Sequence, residues 1–409
     1  MDKLTYTQKV FDSYEKRFAK ARADKILRNP IDEKDREEIL KEVRNMLELD
    51  KIKKPKIEIL DSSEKKLNGV VVKTLLFKSW EHSYGEANLF LPSKNAKNVP
   101  VVVLCSGHGK NGRLTPEYQN LAFRLATNGI AVLLSDNLGQ GSREEFVHNF
   151  SFFPICAGIT LQGMIVSESN AWIDWICTQD FADKNKIGVC GNSGGGTLSM
   201  FLLATNKNVA AAASCGYPSE FSYVLQKEKR HCACNLLKGC AQSADMWEIF
   251  SAFAPKHLLL LGGKYDDLFG TDIVKRTYRK VKTMYAKMGA DKNLKCELTN
   301  TKHPLELEDL KLITEFFLNT FNLEQKNDTD DIEIMEKYRM FTYPYDAATT
   351  NQIAANILGV QLNENIRPHD VFKPICDGEL VDKNMLYNEL FNYDAIHILA
   401  QMEFALYKE

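Results

Sequence analysis

A serine flanked by glycines stands in the stretch KIGVCGNSGGGTLSMFLLA, residues 186–204. The stretch begins with the apolar, β-branched pattern of a buried strand and ends with the pattern of a helix. Between them, Gly191, Ser193 and Gly195 form the spacing G-x-S-x-G. Glycines two residues before and after the serine let strand and helix approach without Cβ clashes. This context predicts a nucleophilic Ser193 hydroxyl at the carboxyl edge of a sheet, the alternative being a glycine-rich turn without chemistry.

A nucleophilic serine needs a general base, and the base needs an acid that orients it. Where the serine occupies a strand–turn–helix junction, the acid and the histidine follow it in chain order. Asp266 follows the strand pattern HLLLLGG, and His303 follows the strand pattern LKCELTN. Strand ends would bring both side chains to the edge that carries Ser193. The sequence therefore predicts Ser193 as nucleophile, His303 as base and Asp266 as acid.

Competing residues are present for the acid and for the base. Asp267 is the alternative acid, but the spacing G-x-x-D after the preceding strand favours Asp266. His303 is favoured as the base because other downstream histidines open a strand or lie beyond the predicted core. These other histidines are His257, His369 and His397.

The negative charge that develops in acyl transfer needs two backbone N–H donors, an oxyanion hole. One donor is predicted at Gly194, directly after the nucleophile and at the N-terminus of the following helix. The second is expected in the loop SGHGKNG, residues 106–112, which follows the strand pattern VVVLC. We predict the N–H of His108, with that of Lys110 as second choice. The His108 side chain is interpreted as scaffolding of this loop.

A cationic side chain near this edge could recognise a charged substrate. Arg143 belongs to DNLGQGSR, residues 136–143, which follows a strand pattern, and Lys110 and Arg113 lie in the neighbouring loop. We predict Arg143 as a substrate-binding residue that holds a carboxylate. The alternative is that these charges support the loops or face solvent.

One histidine and three cysteines, His231, Cys232, Cys234 and Cys240, lie close together between two strand patterns. Such residues can bind zinc, but Cys-x-Cys followed by five residues and a third cysteine is not a regular zinc spacing. We interpret the segment as a cap loop with packed thiols. The sequence predicts no metal ligands, no metal requirement and no cofactor.

Strand and helix patterns alternate along most of the chain. VVVKTLLF and EANLFLP predict an antiparallel start, and from PVVVLC onward short apolar strands alternate with helices. This alternation is typical of a mostly parallel sheet with helices on both faces. The predicted fold class is α/β.

Changes in pattern also divide the chain. We predict an N-terminal helical arm at 1–54 and a catalytic domain at 55–323, with a cap-like insertion at about 216–250. The polar run EQKNDTDD, residues 324–331, marks a boundary before a C-terminal extension at 332–409.

Both terminal segments carry apolar side chains that need a partner. Helices are predicted over 5–28 and from 32 to about 49, and the first has an apolar stripe (Val10, Phe11, Tyr14 and Phe18). The C-terminal extension is rich in aromatic residues. Because such surfaces rarely stay open to water, we expect the two ends to pack together or against a second subunit in a homo-oligomer.

The charge balance argues against several classes of partner. The 409 residues carry a formal net charge of −2, which gives no electrostatic case for nucleic acid or an anionic membrane. Neither the apolar core of a signal peptide nor an apolar run of membrane-spanning length is found. The ten cysteines show no pattern of a small secreted domain. We therefore expect a cytoplasmic protein that acts on a small molecule.

Four stretches, LCSGHGKNG, SDNLGQGSRE, KIGVCGNSGGGTLSMFLLA and APKHLLLLGGKYDDLFG, resemble the acetyl xylan esterase-like branch of the α/β-hydrolases, which is related to the dienelactone hydrolases. The resemblance implies the α/β-hydrolase fold, with Ser193, Asp266 and His303 in the roles deduced above. Acetyl xylan and cephalosporin deacetylases carry glutamine where this chain has Gly194, which weighs against carbohydrate deacetylation. Dienelactone hydrolases carry cysteine where this chain has Ser193.

The sequence thus predicts a serine hydrolase that cleaves a small carboxylic ester through an acyl-enzyme intermediate. Hydrolysis of an amide or a carbon–carbon bond uses the same residues and stays open. A binding or scaffold protein without turnover is the alternative from a different class. The complete set of nucleophile, acid and base argues against it, because binding alone does not require these three residues.

Overall fold

A nine-stranded sheet organises the structure, a computed structural model. The residues described are 3–146, 148, 152–225, 232–328, 330, 332–335, 339–366, 375–376, 378–382 and 393–407. The strands of the sheet are β1 (Glu58–Leu67), β2 (Val70–Lys78), β3 (Tyr84–Leu91), β4 (Val99–Cys105), β5 (Ala131–Ser135), β6 (Ala182–Asn192), β7 (Val209–Cys215), β8 (His257–Gly263) and β9 (Leu294–Thr299). A separate two-stranded ladder joins β10 (Ile375–Cys376) and β11 (Glu379–Leu380).

The order of strands across the sheet is β1-β2-β3-β5-β4-β6-β7-β8-β9. The pairings from β1 to β3 and between β3 and β5 are antiparallel. Every pairing from β5 to β9 is parallel. The predicted α/β class, with an antiparallel start and a mostly parallel sheet, is confirmed. Because parallel strands point the same way, the carboxyl ends of β4, β6, β7, β8 and β9 lie along one edge, which is where the candidate side chains are expected.

Helices cover both faces of this sheet. They are α1 (Lys3–Asp24), α2 (Glu33–Met46), α3 (Pro116–Thr127), α4 (Phe153–Ala157), α5 (Leu161–Ile176), α6 (Gly194–Thr205), α7 (Phe221–Val224), α8 (Met246–Ala252), α9 (Thr271–Lys287), α10 (Leu307–Phe321), α11 (Thr350–Leu358) and α12 (Tyr393–Ala405). Helices α3 and α10 bury their apolar faces on one side of the sheet. Helices α2, α5, α6, α8 and α9 cover the other side. The central strands are buried on both faces, which explains their unbroken apolar runs.

The first helix ends earlier than its predicted limit of residue 28. After Asp24 the chain turns towards α8, where Lys25 forms a buried ion pair with Glu248. The backbone N–H of Arg28 donates to the same carboxylate at 3.2 Å. A helical continuation would separate these groups from Glu248. The second helix likewise ends at Met46, three residues before its predicted end.

The two ends of the chain pack against each other. Val10 and Tyr14 of α1 form an apolar cluster with Leu399 and Met402 of α12. The end of α12 also contacts the cap-like segment between β7 and β8, because its terminal carbonyl groups accept hydrogen bonds from that segment. These bonds run from the N–H of Gly239 to Phe404 and from the N–H of Ala241 to Ala405, each at 2.9 Å.

The C-terminal extension is also tied to the sheet. The buried carboxylate of Glu86, on β3, accepts hydrogen bonds from the backbone N–H groups of Met340 and Phe341, both at 2.8 Å. Removing the extension would therefore leave one buried oxygen of this carboxylate without its two backbone donors, and it would also uncover α1. None of the helices in the described part of the chain is both long and apolar enough to cross a bilayer.

A chain that ends at Asp330 is expected to aggregate or to change its oligomeric state. Its apolar face on α1 would be open to solvent, and the Glu86 carboxylate would lose two donors. Size-exclusion chromatography with light scattering measures the outcome, with a chain ending at Tyr407 as the control that keeps α12. A soluble truncated protein of unchanged oligomeric state would show that the extension is dispensable for solubility.

Candidate active site

The backbone at Ser193 is in a strained conformation. Strand β6 ends at Asn192 and α6 begins at Gly194, so Ser193 alone forms the junction. Its φ and ψ are 58° and −120°, a combination that residues with a side chain rarely adopt. Its N–H donates to the carbonyl oxygen of Cys215, at the end of β7, at 2.9 Å. Strain at such a strand–helix turn exposes the hydroxyl above the sheet edge.

Two glycines allow this turn to rest directly on the end of β4. A Cβ atom at Gly195 would lie 1.9 Å from the carbonyl oxygen of Cys105, and one at Gly191 would lie 2.3 Å from the same atom. Neither distance leaves room for a side chain. The small residues of the sequence pattern are therefore required by backbone packing at the nucleophile position.

The predicted base and acid form a hydrogen-bonded pair. His303 Nδ1 lies 2.8 Å from Asp266 Oδ2. The other oxygen of Asp266 accepts from the backbone N–H groups of Leu268 at 2.7 Å and Phe269 at 3.0 Å, which fixes the carboxylate. Asp267, the competing acid, is exposed to solvent. An ionised Asp266 can only accept, so His303 carries its proton on Nδ1 and presents a lone pair on Nε2.

The His303 imidazole lies beside the serine turn. A Cβ atom at Gly216 would lie 3.0 Å from His303 Cε1 and 2.3 Å from the side-chain oxygen of Asn192. The preceding residue, Cys215, accepts the hydrogen bond from the Ser193 N–H. His303 Nε2 is buried and has no hydrogen-bond partner among the described residues. The ring that carries this nitrogen lies at the same edge of the sheet as the serine turn, close to Gly216 and Asn192.

Backbone donors are present for an oxyanion. The N–H of Gly194 is the first of α6, a position without an intrahelical acceptor. In the loop 106–112, the N–H of Gly107 donates to the Tyr118 hydroxyl at 2.7 Å, whereas that of His108 donates to no group in the described part of the chain. A Cβ at Gly194 would lie 2.6 Å from the His108 ring, so this loop touches the start of α6. The geometry favours His108 over Lys110, which lies further along the loop.

The predicted substrate-binding role of Arg143 does not fit the structure, because its guanidinium group is buried and both terminal nitrogens are engaged by other residues. Arg143 is fully buried and forms a bidentate ion pair with Glu168, at 2.8 and 3.2 Å. It also donates to the Ser83 hydroxyl and to the carbonyl oxygen of Asp136. The sequence pattern placed Arg143 on a loop but gave no sign that Glu168 of α5 lies beneath that loop.

Arg113 is buried in the same way and supports the adjacent loops. Its guanidinium contacts the carboxylates of Glu86 and Asp136. Asp136 in turn accepts from the backbone N–H of Arg113 at 2.7 Å and from the hydroxyl of Ser142 at 2.7 Å. Arg113 and Arg143 are therefore buried residues whose ion pairs and hydrogen bonds stabilise the loops of the candidate site.

Replacing Arg143 with alanine is expected to lower the free energy of unfolding by ~3–5 kcal/mol, because it leaves the Glu168 carboxylate buried without its partner. Denaturant unfolding measures the change. Lys110→Ala, which removes an exposed cation from the same region, should alter it by less than ~0.5 kcal/mol. If the Arg143 variant kept wild-type stability and lost affinity only for esters that carry a carboxylate, the predicted binding role would be restored.

Of the described residues of the predicted cap loop, Cys240 lies apart from the pair Cys232 and Cys234. His231 lies outside the described residues. Cys240 is buried beside Arg22, whose guanidinium donates to its carbonyl oxygen. Cys232 and Cys234 instead approach His108, and Cys234 Sγ lies 3.2 Å from His108 Nε2.

His148 completes this group and had no assigned role in the sequence analysis. Its Nε2 lies 3.2 Å from His108 Nε2. Burial alone would raise the pKa of Cys232, but hydrogen bonding with Cys234 and the proximity of His148 bring it well below its usual value. No local pattern around His148 indicates a site, because its neighbours in space come from distant parts of the chain.

Comparison with known proteins relates the chain to hydrolases. Residues 86–259 match the family model of the X-Pro dipeptidyl-peptidases of the S15 family. YtaP of Bacillus subtilis (strain 168), a protein named as a hydrolase, is 23% identical over 250 residues, which cover 57% of this chain and 82% of YtaP.

Two solved structures are similar in fold. Methylesterase BT1017 is 19% identical, with a TM-score of 0.64, over 84% of this chain and 78% of its own. A protein of Bacteroides fragilis NCTC 9343, described as an acetyl xylan esterase, is 17% identical, with a TM-score of 0.55, over 65% of this chain and 74% of its own. These similarities, the order of the strands and the strained serine at the turn after β6 agree, and the chain has the α/β-hydrolase fold.

Proposed function

We propose that the protein is a serine hydrolase that cleaves a small carboxylic ester through an acyl-enzyme intermediate. The observation that carries the proposal is the pair of His303 and Asp266 beside the strained turn of Ser193. His303 Nδ1 is hydrogen-bonded to Asp266, and His303 Nε2 is buried without a hydrogen-bond partner among the residues that the structure describes. A merely structural histidine would normally have both ring nitrogens satisfied.

The first half of the reaction transfers the acyl group to the enzyme. Ser193 Oγ attacks the ester carbonyl carbon while His303 Nε2 accepts the hydroxyl proton. The carbonyl oxygen becomes an oxyanion, which accepts hydrogen bonds from the N–H groups of Gly194 and His108. When this intermediate collapses, the bond to the leaving oxygen breaks and His303 returns the proton to it. An alcohol leaves, and the acyl group stays on Ser193.

The second half restores the enzyme. His303 accepts a proton from water, and the resulting nucleophile attacks the acyl carbon through a second oxyanion. Collapse releases the carboxylic acid and returns the proton to Ser193. Asp266, whose two oxygens are held in place, orients the His303 ring and stabilises the imidazolium in both halves.

The site gives one indication of the substrate. Phe269 stacks beside His303, with ring centroids 6.2 Å apart, and the rings of Tyr217 and Tyr223 lie against Phe269. Arg143 and Arg113 are engaged in buried ion pairs and do not offer a site for a carboxylate. The aromatic rings thus pack the base in place, and we infer that the substrate need not be an anion.

Peptide hydrolysis is the second candidate. The match of residues 86–259 to the X-Pro dipeptidyl-peptidase family favours it. The same nucleophile, base and oxyanion donors would serve, with His303 protonating a departing amine instead of an alkoxide.

A substrate panel tests the proposal against this alternative. Wild-type protein would be assayed with nitrophenyl esters of increasing acyl length and with X-Pro dipeptide nitroanilides, and Ser193→Ala would serve as the blank. We expect turnover of short esters that greatly exceeds turnover of the nitroanilides. Preferential cleavage of the nitroanilides would favour the peptidase. No turnover of either class, together with no labelling by a fluorophosphonate probe, would favour a binding protein.

A further inference from the structure

Four side chains of types that commonly bind metals lie close together at the loop 106–112, called here the oxyanion loop because it carries the candidate donor His108. They are His108, which follows β4, His148, which lies between β5 and α4, and Cys232 and Cys234 of the cap-like segment. One coordinating atom from each lies within 4.8 Å of the other three. Three segments that are distant in sequence therefore bring two imidazoles and two thiols to one point.

The spacing of these atoms is close to that of a tetrahedral zinc site. Zn–N bonds of ~2.0–2.1 Å and Zn–S bonds of ~2.3 Å imply separations of ~3.3–3.8 Å between ligand atoms. The two Nε2 atoms of His108 and His148 are 3.2 Å apart, and Cys234 Sγ is 3.2 Å from His108 Nε2. Rotation of the two cysteine side chains would bring the remaining separations between ligand atoms, which are at most 4.8 Å, into this range.

The orientation of His148 leaves its lone pair facing the cluster. Its Nδ1 lies 2.7 Å from the carbonyl oxygen of Leu138, which can only accept, so Nδ1 carries the proton. Its Nε2 is then an acceptor that faces the other three side chains. The amide of Gln140 is 3.5 Å from this atom, longer than an ordinary hydrogen bond. A backbone carbonyl that fixes the ring in this tautomer is the usual support of a metal-binding histidine.

Both sulfur atoms have N–H donors nearby. The backbone N–H of Cys234 lies 3.5 Å from Cys232 Sγ, and the side-chain amide of Asn235 lies 3.6 Å from Cys234 Sγ. Donors of this kind stabilise thiolate sulfur, the form that binds metal. Asn235 is itself held by Tyr217, whose hydroxyl donates to its carbonyl oxygen at 3.0 Å.

We propose that His108, His148, Cys232 and Cys234 bind one zinc ion that fastens the cap-like segment to the oxyanion loop. Two nitrogen and two sulfur ligands in a tetrahedral arrangement select zinc among the common divalent ions. All four positions are filled by the protein, so the ion is structural and takes no part in the hydrolytic steps. The inference does not depend on the proposed function.

This proposal differs from the interpretation drawn from the sequence. That interpretation considered only the cysteine spacing, which is irregular for zinc because two ligands come from elsewhere in the chain. The proposal replaces the prediction that the chain has no metal ligands, although no hydrolytic step uses the ion. The ion would act by holding His108, whose ring touches Gly194 next to the nucleophile.

Metal analysis of the purified full-length protein tests the site. After exchange into metal-free buffer with a phosphine reductant, elemental analysis should find about one zinc per chain. Replacement by Co²⁺ should give the intense visible bands of a tetrahedral site and the near-ultraviolet bands of thiolate ligands. Chelation should remove the ion and lower the midpoint of thermal unfolding, and added zinc should restore it.

Variants identify the ligands. Cys232→Ser, Cys234→Ser and His148→Gln should each lose the bound zinc, whereas Cys177→Ser, which removes a thiol outside the cluster, should keep it. Ser193→Ala should also keep its zinc, which separates this test from the test of hydrolysis. Circular dichroism would establish that the variants are folded. For any variant that is not folded, cobalt bands of the wild-type protein decide the ligand set.

Any one of four outcomes would overturn the proposal. The first is wild-type protein that binds no zinc after reduction and reconstitution. The second is folded cluster variants that bind zinc as the wild type does. The third is a cobalt spectrum without thiolate bands. A stable disulfide between Cys232 and Cys234 that persists in reductant with zinc present would have the same effect, because it removes both thiolates.

Discussion

Replacing Ser193 with alanine is expected to lower kcat/KM for ester hydrolysis by ~10⁴–10⁶-fold. The acyl group would have no oxygen to which it could be transferred, and only the oxyanion donors and substrate binding would remain. The fold should be unchanged, because alanine meets the same backbone restriction at φ 58° as serine does. The structure also gives the Ser193 hydroxyl no hydrogen bond to another described group whose loss would cost stability.

The measurement compares purified variants on the best ester of the panel. Ser62→Ala, on the exposed edge strand β1, is the matched control and should retain wild-type activity. Labelling by a fluorophosphonate probe should disappear in Ser193→Ala and persist in the control. A Ser193 variant within ~10-fold of the wild-type rate, a barrier change of only ~1.4 kcal/mol, would show that another group is the nucleophile.

Replacing Asp266 with asparagine is expected to lower kcat by ~10⁴-fold, less than the loss of Ser193. The N–H groups of Leu268 and Phe269 would hold the amide oxygen in the position of Oδ1. The amide NH₂ would then face His303 Nδ1 and donate to it. His303 would be forced to carry its proton on Nε2, where it could not accept the proton of Ser193.

Asp267→Asn is the matched control, since it makes the same chemical change at the neighbouring, exposed position. Its kcat should stay near the wild-type value, and both variants should unfold at similar denaturant concentrations. A severe loss in the Asp267 variant with a mild loss in the Asp266 variant would reverse the assignment of the acid.

The sheet and the residues at its edge could be predicted because their signals are local. Alternating strand and helix patterns indicate the fold class, and the glycines around Ser193 are required by the close approach to Cys105. The acid and the base follow their strands directly. In each case the residues that determine the structure are neighbours in sequence or follow the chain order of the strands.

The features that the sequence analysis missed depend on distant contacts. Arg143 has the composition of an exposed loop residue, and only its contact with Glu168 shows that it is buried. His148 and Cys234 gain significance only when the cap-like segment lies over the oxyanion loop. Contacts between residues that are distant in the chain produce no periodic pattern in a single sequence. Each partner taken alone is also compatible with a purely structural role.

The contact between α1 and α12 has a consequence for biosynthesis. The apolar face of α1 is synthesised well before its partners Leu399 and Met402. At ~5–20 residues per second, that face stays uncovered for ~20–80 s while the rest of the chain is synthesised. The Glu86 carboxylate likewise gains its hydrogen bonds from Met340 and Phe341 only after these two residues have been synthesised. The contact between α1 and α12 can therefore form only once Leu399 and Met402 have been synthesised, well after α1 itself.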